Sequence, residues 1–375
     1  MDPFPVVDPI PLPAPVLLFK GLHILTLALH FITVELLLGS LLVATWLNLY
    51  GVMRRQDAAA GMRLTVAAAL AKRLTVVMTY VINLGVPPLL FAQVLYGRAL
   101  YTSSVLIGIY WIAVVFLLMV CYWLIYQFAA GAEKARAVWW QGLLAWLLAG
   151  AIAKILTTNM TLMLRPEVWG EMYATTAGGT HLPPHDPTAL PRWLFMLTGG
   201  LWVCGVWMIW LAGRRVFEEP VRKYLAANGG RLIVVMLIVQ AFVAAMVLRA
   251  QPQVVREALG ASALAHGAGL ACLGAAVLMG GFGLWAAVKQ PIGRAAGWLG
   301  ATLLLVGVLG MTIYRDALRD LTLLGKGYDV WQRAVATNWG VVILFLVIFV
   351  GGLGTVAWLI SVMMKAKPVS EKVNP

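Results

Sequence analysis

The sequence predicts an all-α integral membrane protein that crosses the bilayer about nine times. Of its 375 residues, 62% are hydrophobic and 11% are charged, whereas soluble domains are about 45–50% apolar and about 25% charged. Apolar runs of membrane-spanning length recur along the chain, and they lack the alternation of apolar and polar residues that is typical of a membrane barrel. Helices are therefore the expected spanning elements, because they satisfy their backbone hydrogen bonds internally.

Nine apolar segments define the predicted membrane domain, residues 15–366. Each has close to the roughly 20 residues that a helix needs to cross the bilayer. A proline-rich segment, 1–14, precedes them and is expected to be extended on the outer side. Residues 367–375 are predicted to form a cytoplasmic tail. The nine segments are about 15–50, 64–96, 102–129, 136–161, 190–212, 231–249, 262–287, 294–315 and 336–364.

Lysine and arginine predict the orientation. The connections on the side of the C-terminus carry 17 of these residues and those on the other side carry ten. Because basic loops are retained in the cytoplasm, the N-terminus is predicted outside and the C-terminus inside. The net charge of +13 is explained by this bias, and nothing in it indicates a nucleic-acid partner.

Reporter fusions test this topology. Fusions at Val221 and Lys372 should report a cytoplasmic location, and a fusion at Gly179 should report an external one. A cytoplasmic signal at Gly179 would contradict the predicted spans.

Several cofactor classes have no motif in this chain. There is no CxxCH sequence, so a covalent c-type haem is not expected. There is no phosphate-binding glycine motif between a strand and a helix. Cys121, Cys204 and Cys272 are isolated within predicted spans, where they are expected to act as small buried apolar residues.

The first span carries one carboxylate and two histidines. Glu35 is the only acid within a membrane-length apolar run, 19–51, and a carboxylate in hydrocarbon costs roughly 3 kcal/mol on insertion scales. His23 and His30 are two helical turns apart and share one face, which suggests haem ligation, proton handling or quinone binding. Glu35 lies on another face, so we interpret it as a proton-transfer group or, alternatively, as a structural partner of Lys154 or an asparagine.

Other polar residues are predicted near the outer membrane surface, as are all five histidines. His266 begins the seventh span and is interpreted as a second haem ligand or as a residue that faces lipid headgroups. Arg315 and Arg319 form a basic stripe for haem propionates or a partner's carboxylates, or a solvated helix end. His181 and His185 have HxxxH spacing, but the prolines around them break any helix, so loop packing is favoured over metal binding.

Several stretches resemble known membrane oxidoreductases. LALHFITVELLLGSLLVATWLNLYG resembles the first helix of subunit I of cytochrome bd quinol oxidases, in which a histidine–phenylalanine pair, here His30 and Phe31, opens the stretch and the histidine binds an outer-side haem. The stretch GVPPLLFAQVLYGRALYTSS (85–104) stands where the oxidase has a proline and haem-pocket glutamates. Three further stretches resemble a divergent bd-like group that accompanies multihaem cytochromes c, namely NMTLMLRPEVW (159–169), DPTALPRWLFMLTGG (186–200) and GMTIYRDALRD (310–320).

The chain also departs from the oxidase pattern. Phe195 stands where the oxidase has a haem-binding histidine, and Arg315 stands about where it has a haem-pocket glutamate. Gln93 and Thr102 lie near the place of two further glutamates, and the outer quinol loop shrinks to about 251–261. The resemblance therefore implies at most one haem b, with His30 as its iron ligand.

The resemblance also implies roles for the remaining candidates. His23 and His266 would bind haem or quinone, and Arg98, with Arg315 and Arg319, would contact propionates or a partner. The implied protein is a multi-pass subunit of a respiratory complex in the bacterial cytoplasmic membrane. It would oxidise quinol, or reduce quinone, near the outer face.

Its implied partners are an extracytoplasmic multihaem cytochrome c or iron–sulfur subunit and other membrane subunits. The expected docking surface comprises the outer loops 162–189 and 316–335, with Trp169, Trp331, Arg319 and Arg333 as anchors. Two alternative functions remain, a bd-type terminal quinol oxidase subunit and a haem-free membrane anchor or proton-conducting scaffold.

Overall fold

The computed structural model describes residue 4 and residues 10–175, 178–289 and 292–365. The predicted tail, 367–375, and most of residues 1–9 lie outside the described residues. The described parts form eleven α-helices and no strand. They are α1 (Val16–Met53), α2 (Ala60–Leu106), α3 (Gly108–Glu133), α4 (Trp139–Leu162), α5 (Trp169–Thr175), α6 (Ala189–Ala212), α7 (Glu219–Arg249), α8 (Gln253–Ala261), α9 (Ala263–Val288), α10 (Arg294–Leu324) and α11 (Trp339–Lys365).

The all-α membrane fold predicted from the sequence is confirmed. Within the described ranges, nine helices are long and apolar enough to cross a membrane. The two remaining helices, α5 and α8, are short and lie in connections. The chain is therefore a multi-pass membrane protein.

Three helices extend well beyond the predicted spans, and the sixth span already begins at Glu219 and not near residue 231. The second span ends at Leu106 and not near residue 96, and the eighth ends at Leu324 and not near residue 315. In both places the prediction stopped at the first charged residues. Those residues continue the helix because their side chains find partners inside the protein. Arg98 donates to Phe4 O, and Arg315 lies over the Phe31 ring.

Helix α1 lies at the centre of the bundle. It packs against α2, α4, α6 and α10, and its closest approach to α6 is at two glycines. A Cβ atom on Gly39 would lie 1.7 Å from the backbone oxygen of Gly200. The two backbones are in direct contact here because neither residue has a side chain, as is common between membrane helices.

Substituting Gly39 with alanine should therefore destabilise the bundle, because α1 and α6 would have to separate. Gly21→Ala is the matched control on the same helix, since a Cβ there meets no atom within 4 Å. Thermal unfolding in detergent should show a marked loss for Gly39→Ala and none for Gly21→Ala. Equal melting temperatures for the two variants would contradict the observed packing.

The bundle has two ends of different character. The histidine end contains the start of α1, the ends of α2 and α10, and the start of α6. The basic end contains the end of α1, the start of α2 and the α3–α4 connection. At the histidine end, Leu12 pairs with the segment after α10, donating to Ala334 O (2.8 Å) and accepting from Ala336 N (2.9 Å).

Candidate functional site

A buried polar cluster lies at the histidine end, between α1, α2 and α10. Lys20 and His23 are one turn apart on α1, and the last turns of α10 carry two adjacent stripes with i, i+4 spacing. Both elements turn these residues toward Tyr96, where α2 departs from helical geometry (φ −123°, ψ 26°). The polar cluster consists of Lys20, His23, Tyr96, Asp316, Arg319 and Asp320.

Lys20 is the hub of the polar cluster and is only 3% exposed. Its ammonium forms ion pairs with Asp316 and with Asp320, the latter at 2.6 Å, and donates to the Tyr96 hydroxyl at 2.8 Å. The Tyr96 hydroxyl in turn donates to Asp320 at 2.7 Å. Lys20 is one of the ten basic residues that the charge count assigns to the outer side, whereas the structure shows it as an internal ion-pair partner.

His23 has both ring nitrogens engaged. Nδ1 lies 3.1 Å from the carbonyl oxygen of Pro88, and Nε2 lies 2.8 Å from a guanidinium nitrogen of Arg319. A carbonyl only accepts and a guanidinium only donates, so Nδ1 carries the proton and Nε2 accepts. His23 is therefore a neutral imidazole whose lone pair is used by Arg319 and is not directed at a metal.

Arg319 is buried and links His23 to the carboxylates of the polar cluster. Its guanidinium lies 3.5 Å from Asp316 and 4.8 Å from the centre of the Tyr96 ring. Counting Lys20 and Arg319 against Asp316 and Asp320, the charges balance. Arg319 is thus enclosed within the protein and does not face a docking partner in this structure.

Arg315 lies one turn before Arg319 and points toward α1. Its guanidinium is 5.4 Å from the centre of the Phe31 ring, and it interacts electrostatically with Arg319 and with Arg192 of α6. No carboxylate of the described residues forms an ion pair with it. This arrangement leaves positive charge between α1, α6 and α10.

His30 lies between α1 and α2, and its surroundings differ from those of His23. Its Nδ1 atom is buried and has no hydrogen-bond partner among the described residues. The nitrogen-bearing edge of the ring faces Gly85, where an added Cβ would lie 2.9 Å from Cε1 and 3.2 Å from Nδ1. Gly85 therefore lets the His30 ring pack directly against α2, where the ring also interacts with the backbone of Val81.

Glu35 is 3% exposed and faces α6 at the middle of α1. An added Cβ on Gly199 would lie 2.7 Å from its Oε1 atom, and Oε2 has no partner among the described residues. Lys154 does not pair with it in this structure, since the lysine ammonium lies 5.8 Å from the centre of the Trp193 ring. The carboxyl thus has no ionic partner within the described residues.

The remaining candidates lie apart from His30. His266 is exposed and lines a groove of about 410 Å³ with Arg256 and Tyr314, between α8, α9 and α10. Arg98 donates to the backbone oxygen of Phe4 (3.1 Å) and lies over its ring, so it holds part of the N-terminal segment. His181 and His185 are exposed, and within the described ranges no three His, Cys, Asp or Glu side chains gather as a metal site.

Comparison with known proteins identifies the fold. The chain is similar to a solved structure of bd oxidase from Geobacillus thermodenitrificans, with a TM-score of 0.59 and 13% sequence identity. The likeness covers 96% of this chain and 100% of that chain. No protein-family model matches the sequence, and no curated protein matches it at a significant level. At this level of sequence identity, the likeness shows only that the two chains share a fold.

Of the two histidines of α1, only His30 has a ring nitrogen that an axial haem ligand would need. Its Nδ1 atom is buried and forms no hydrogen bond among the described residues, and imidazole is a common ligand of haem iron. His23 does not fit, because ligation by Nε2 would displace Arg319. His266 lies in the α8–α10 groove, so the structure does not bring it beside His30 as a second ligand.

Sequence reasoning missed three residues that determine this site. Lys20 was taken for a loop lysine, and neither Tyr96 nor Gly85 was singled out. One signal was available, because Lys20 stands one turn before His23 on the same helical face. Only the packing of α1 against α10 shows that Asp316 and Asp320 are its partners.

Proposed function

We propose that the chain is a membrane subunit of a respiratory electron-transfer complex. It oxidises quinol, or reduces quinone, near the outer face of a bacterial cytoplasmic membrane. It exchanges electrons with an extracytoplasmic multihaem cytochrome c or iron–sulfur partner, and it assembles with other membrane subunits. The observation that carries the proposal is His30, a half-buried histidine whose buried Nδ1 atom has no hydrogen-bond partner among the described residues, on the first helix of a bd-oxidase fold.

One haem b is the proposed cofactor, and its chemistry is reversible one-electron transfer. His30 would hold the iron, and Gly85 allows the His30 ring its close approach to α2. Arg315, whose guanidinium lies over Phe31 next to His30 in sequence, is suited to a propionate because it has no carboxylate partner among the described residues. Arg319 is committed to His23 and Asp316, so its role is to fix His23.

The groove beside His266 is the proposed quinone site. Its volume of about 410 Å³ falls in the range of about 300–1,000 Å³ that is usual for small-molecule pockets. Its walls are mostly aliphatic, which suits an isoprenoid chain, and Arg256, His266 and Tyr314 supply polar groups for a quinone ring. The exposed imidazole of His266 is placed to form a hydrogen bond with a quinone oxygen.

A haem-free anchor is the second candidate function. The polar cluster favours it, because Lys20, Tyr96, Asp316 and Asp320 satisfy one another without any added group. A bd-type terminal oxidase is the weaker alternative, since Phe195 cannot ligate iron. Isolation of the chain with whatever it retains separates these possibilities. A retained redox subunit with c-type haem or an iron–sulfur cluster supports electron transfer, and a retained subunit without redox groups supports the anchor.

The partner is expected to sit over the histidine end. Trp331 is 49% exposed there, whereas Trp169 is buried against Phe4 and Leu162 and is not available as an anchor. Trp331→Ala should therefore reduce the partner that co-purifies, because exposed aromatic side chains are frequent anchors of interfaces.

Trp140→Ala is the matched control, since Trp140 is 51% exposed at the basic end. It should retain the partner at the wild-type level, as measured by the ratio of the two subunits after affinity purification. Loss of the partner from Trp140→Ala, with full retention by Trp331→Ala, would place the contact at the opposite end.

A further inference from the structure

Lys154 is a half-buried lysine of the membrane-spanning helix α4. Within the described residues it forms no ion pair, and no charged group interacts with it electrostatically. Its ammonium instead lies 5.8 Å from the centre of the Trp193 ring on α6. A charged side chain within a span is costly and is normally paired, so this ammonium requires a counter-charge that the described part of the chain does not supply.

The ammonium stays at membrane depth and does not reach the nearer surface. Lys154 lies eight residues before the end of α4 at Leu162, which is about 12 Å along the helix axis. Side chains on a helix lean toward its N-terminus, and α4 begins at the basic end, so the lysine leans toward the membrane centre. The ring beside it is fixed at this depth, because Trp193 Nε1 donates to Gly150 O at 2.9 Å, one turn nearer the basic end.

Lys154 borders an exposed stripe of α4. The members of the stripe are three or four residues apart, as expected for one helix face, and are Leu144, Leu147 and Ala151. Thr158 continues the stripe, two turns after Ala151 and one turn after Lys154. The ammonium is therefore at the edge of a surface that the described part of the chain leaves uncovered.

Thr158 adds a second donor without an acceptor. Thr161, on the same helix, donates to the carbonyl four residues earlier, Thr157 O, at 2.9 Å, which is the usual way to satisfy such a hydroxyl. Thr158 is half-buried and forms no hydrogen bond within the described residues. It stands four residues after Lys154, so the two donors are neighbours on the helix surface.

These two donors call for an acceptor that carries negative charge. A carboxylate can accept from an ammonium and from a hydroxyl at once. A lipid phosphate carries negative charge too, but it belongs to the membrane surface, about 12 Å from Lys154 along α4. An acidic side chain on a neighbouring transmembrane helix can lie at the depth of Lys154, and the stripe gives such a helix a surface to pack on.

We propose that another membrane subunit docks a transmembrane helix along this stripe, and that an aspartate or glutamate of that helix pairs with Lys154 and Thr158. The inference rests on the proposed assembly with other membrane subunits, but it requires neither haem nor quinone. The ion pair forms in hydrocarbon, where water does not screen it. It therefore determines both the depth of the docked helix and the type of residue that the helix must carry.

A photoreactive amino acid introduced at Ala151 tests the docking in native membranes. Benzoylphenylalanine at this position should crosslink to a transmembrane segment that contains an acid, which mass spectrometry of the product identifies. Lys154→Met in the same chain should reduce the product about tenfold, as expected for the loss of one polar contact between membrane helices. Lys223→Met is the control, because this exposed lysine pairs with Glu219 outside the stripe, and it should leave the yield unchanged.

Exchange of the two charges decides whether the contact is ionic. Lys154→Glu should abolish the product, and replacement of the partner's acid with lysine should restore it in that background. Three results would each overturn the proposal. They are a product that contains only lipid, a crosslinked helix that has no acid, and exchanged charges that do not restore the product.

The isolated chain provides an independent check. Lys154→Met should melt at or above the wild-type temperature, because the described chain gives the ammonium no counter-charge. A melting temperature well below that of the wild type would reveal a partner inside the chain and would contradict the proposal. The absorption spectrum of the same variant reports separately on the proposed electron transfer, so a failure of one proposal is distinguishable from a failure of the other.

Discussion

Lys20→Met is expected to destabilise the protein by about 3–5 kcal/mol, the usual cost of removing one partner from a buried ion pair. The substitution keeps an apolar side chain of similar length but leaves Asp316 and Asp320 without their shared cation. The Tyr96 hydroxyl also loses the ammonium group from which it accepts a hydrogen bond. The loss should be measured as the change in unfolding free energy in mixed micelles.

Lys223→Met is the matched control, because its ammonium lies 2.6 Å from Glu219 but both side chains are exposed. Exposed ion pairs contribute little to stability, so this variant should unfold as the wild type does. Adding Asp316→Asn and Asp320→Asn to Lys20→Met should recover part of the lost stability, since no unpaired charge then remains buried. Similar unfolding free energies for Lys20→Met and Lys223→Met would show that the polar cluster is not a buried network.

The spans were predictable from the sequence, but the interior polar contacts were not. Apolar runs determine which segments cross a membrane, and they require no knowledge of neighbours. The helix ends were misjudged at Arg98 and Arg315 because a charge in the sequence is normally read as a sign of solvent. Here Arg98 binds Phe4 O and Arg315 lies over Phe31, and such partners are known only once the helices are packed.

His30→Ala is expected to abolish haem binding, because the described side chains offer no second iron ligand at that place. Haem per chain should fall to background while the variant still inserts in the membrane and elutes as the wild type does. His181→Ala should keep its full haem content, since His181 is exposed in a connection.

Gly85→Val gives an independent test of the same pocket. A side chain there would meet the His30 ring at less than van der Waals distance, so haem content should also fall although His30 is present. Unchanged haem content in both His30→Ala and Gly85→Val would show that His30 does not bind the haem iron.

The two histidines of α1 show what residue spacing predicts and what it leaves open. The seven-residue interval correctly places His23 and His30 near one face of α1, and the structure then separates their chemistry. Both ring nitrogens of His23 are hydrogen-bonded, one to Pro88 O and one to Arg319. His30 Nδ1 has no hydrogen-bond partner among the described residues. Nothing local to α1 distinguishes the two residues, because the difference arises from α2 and α10.

The reduced-minus-oxidised absorption spectrum of the purified chain tests the central claim most directly. The account predicts the bands of a single haem b, and it predicts that added quinol, or a reduced partner subunit, will produce the same bands as a chemical reductant. A haem d band would instead indicate a terminal oxidase. A flat spectrum from a folded chain would contradict electron transfer through this subunit and would support the haem-free anchor.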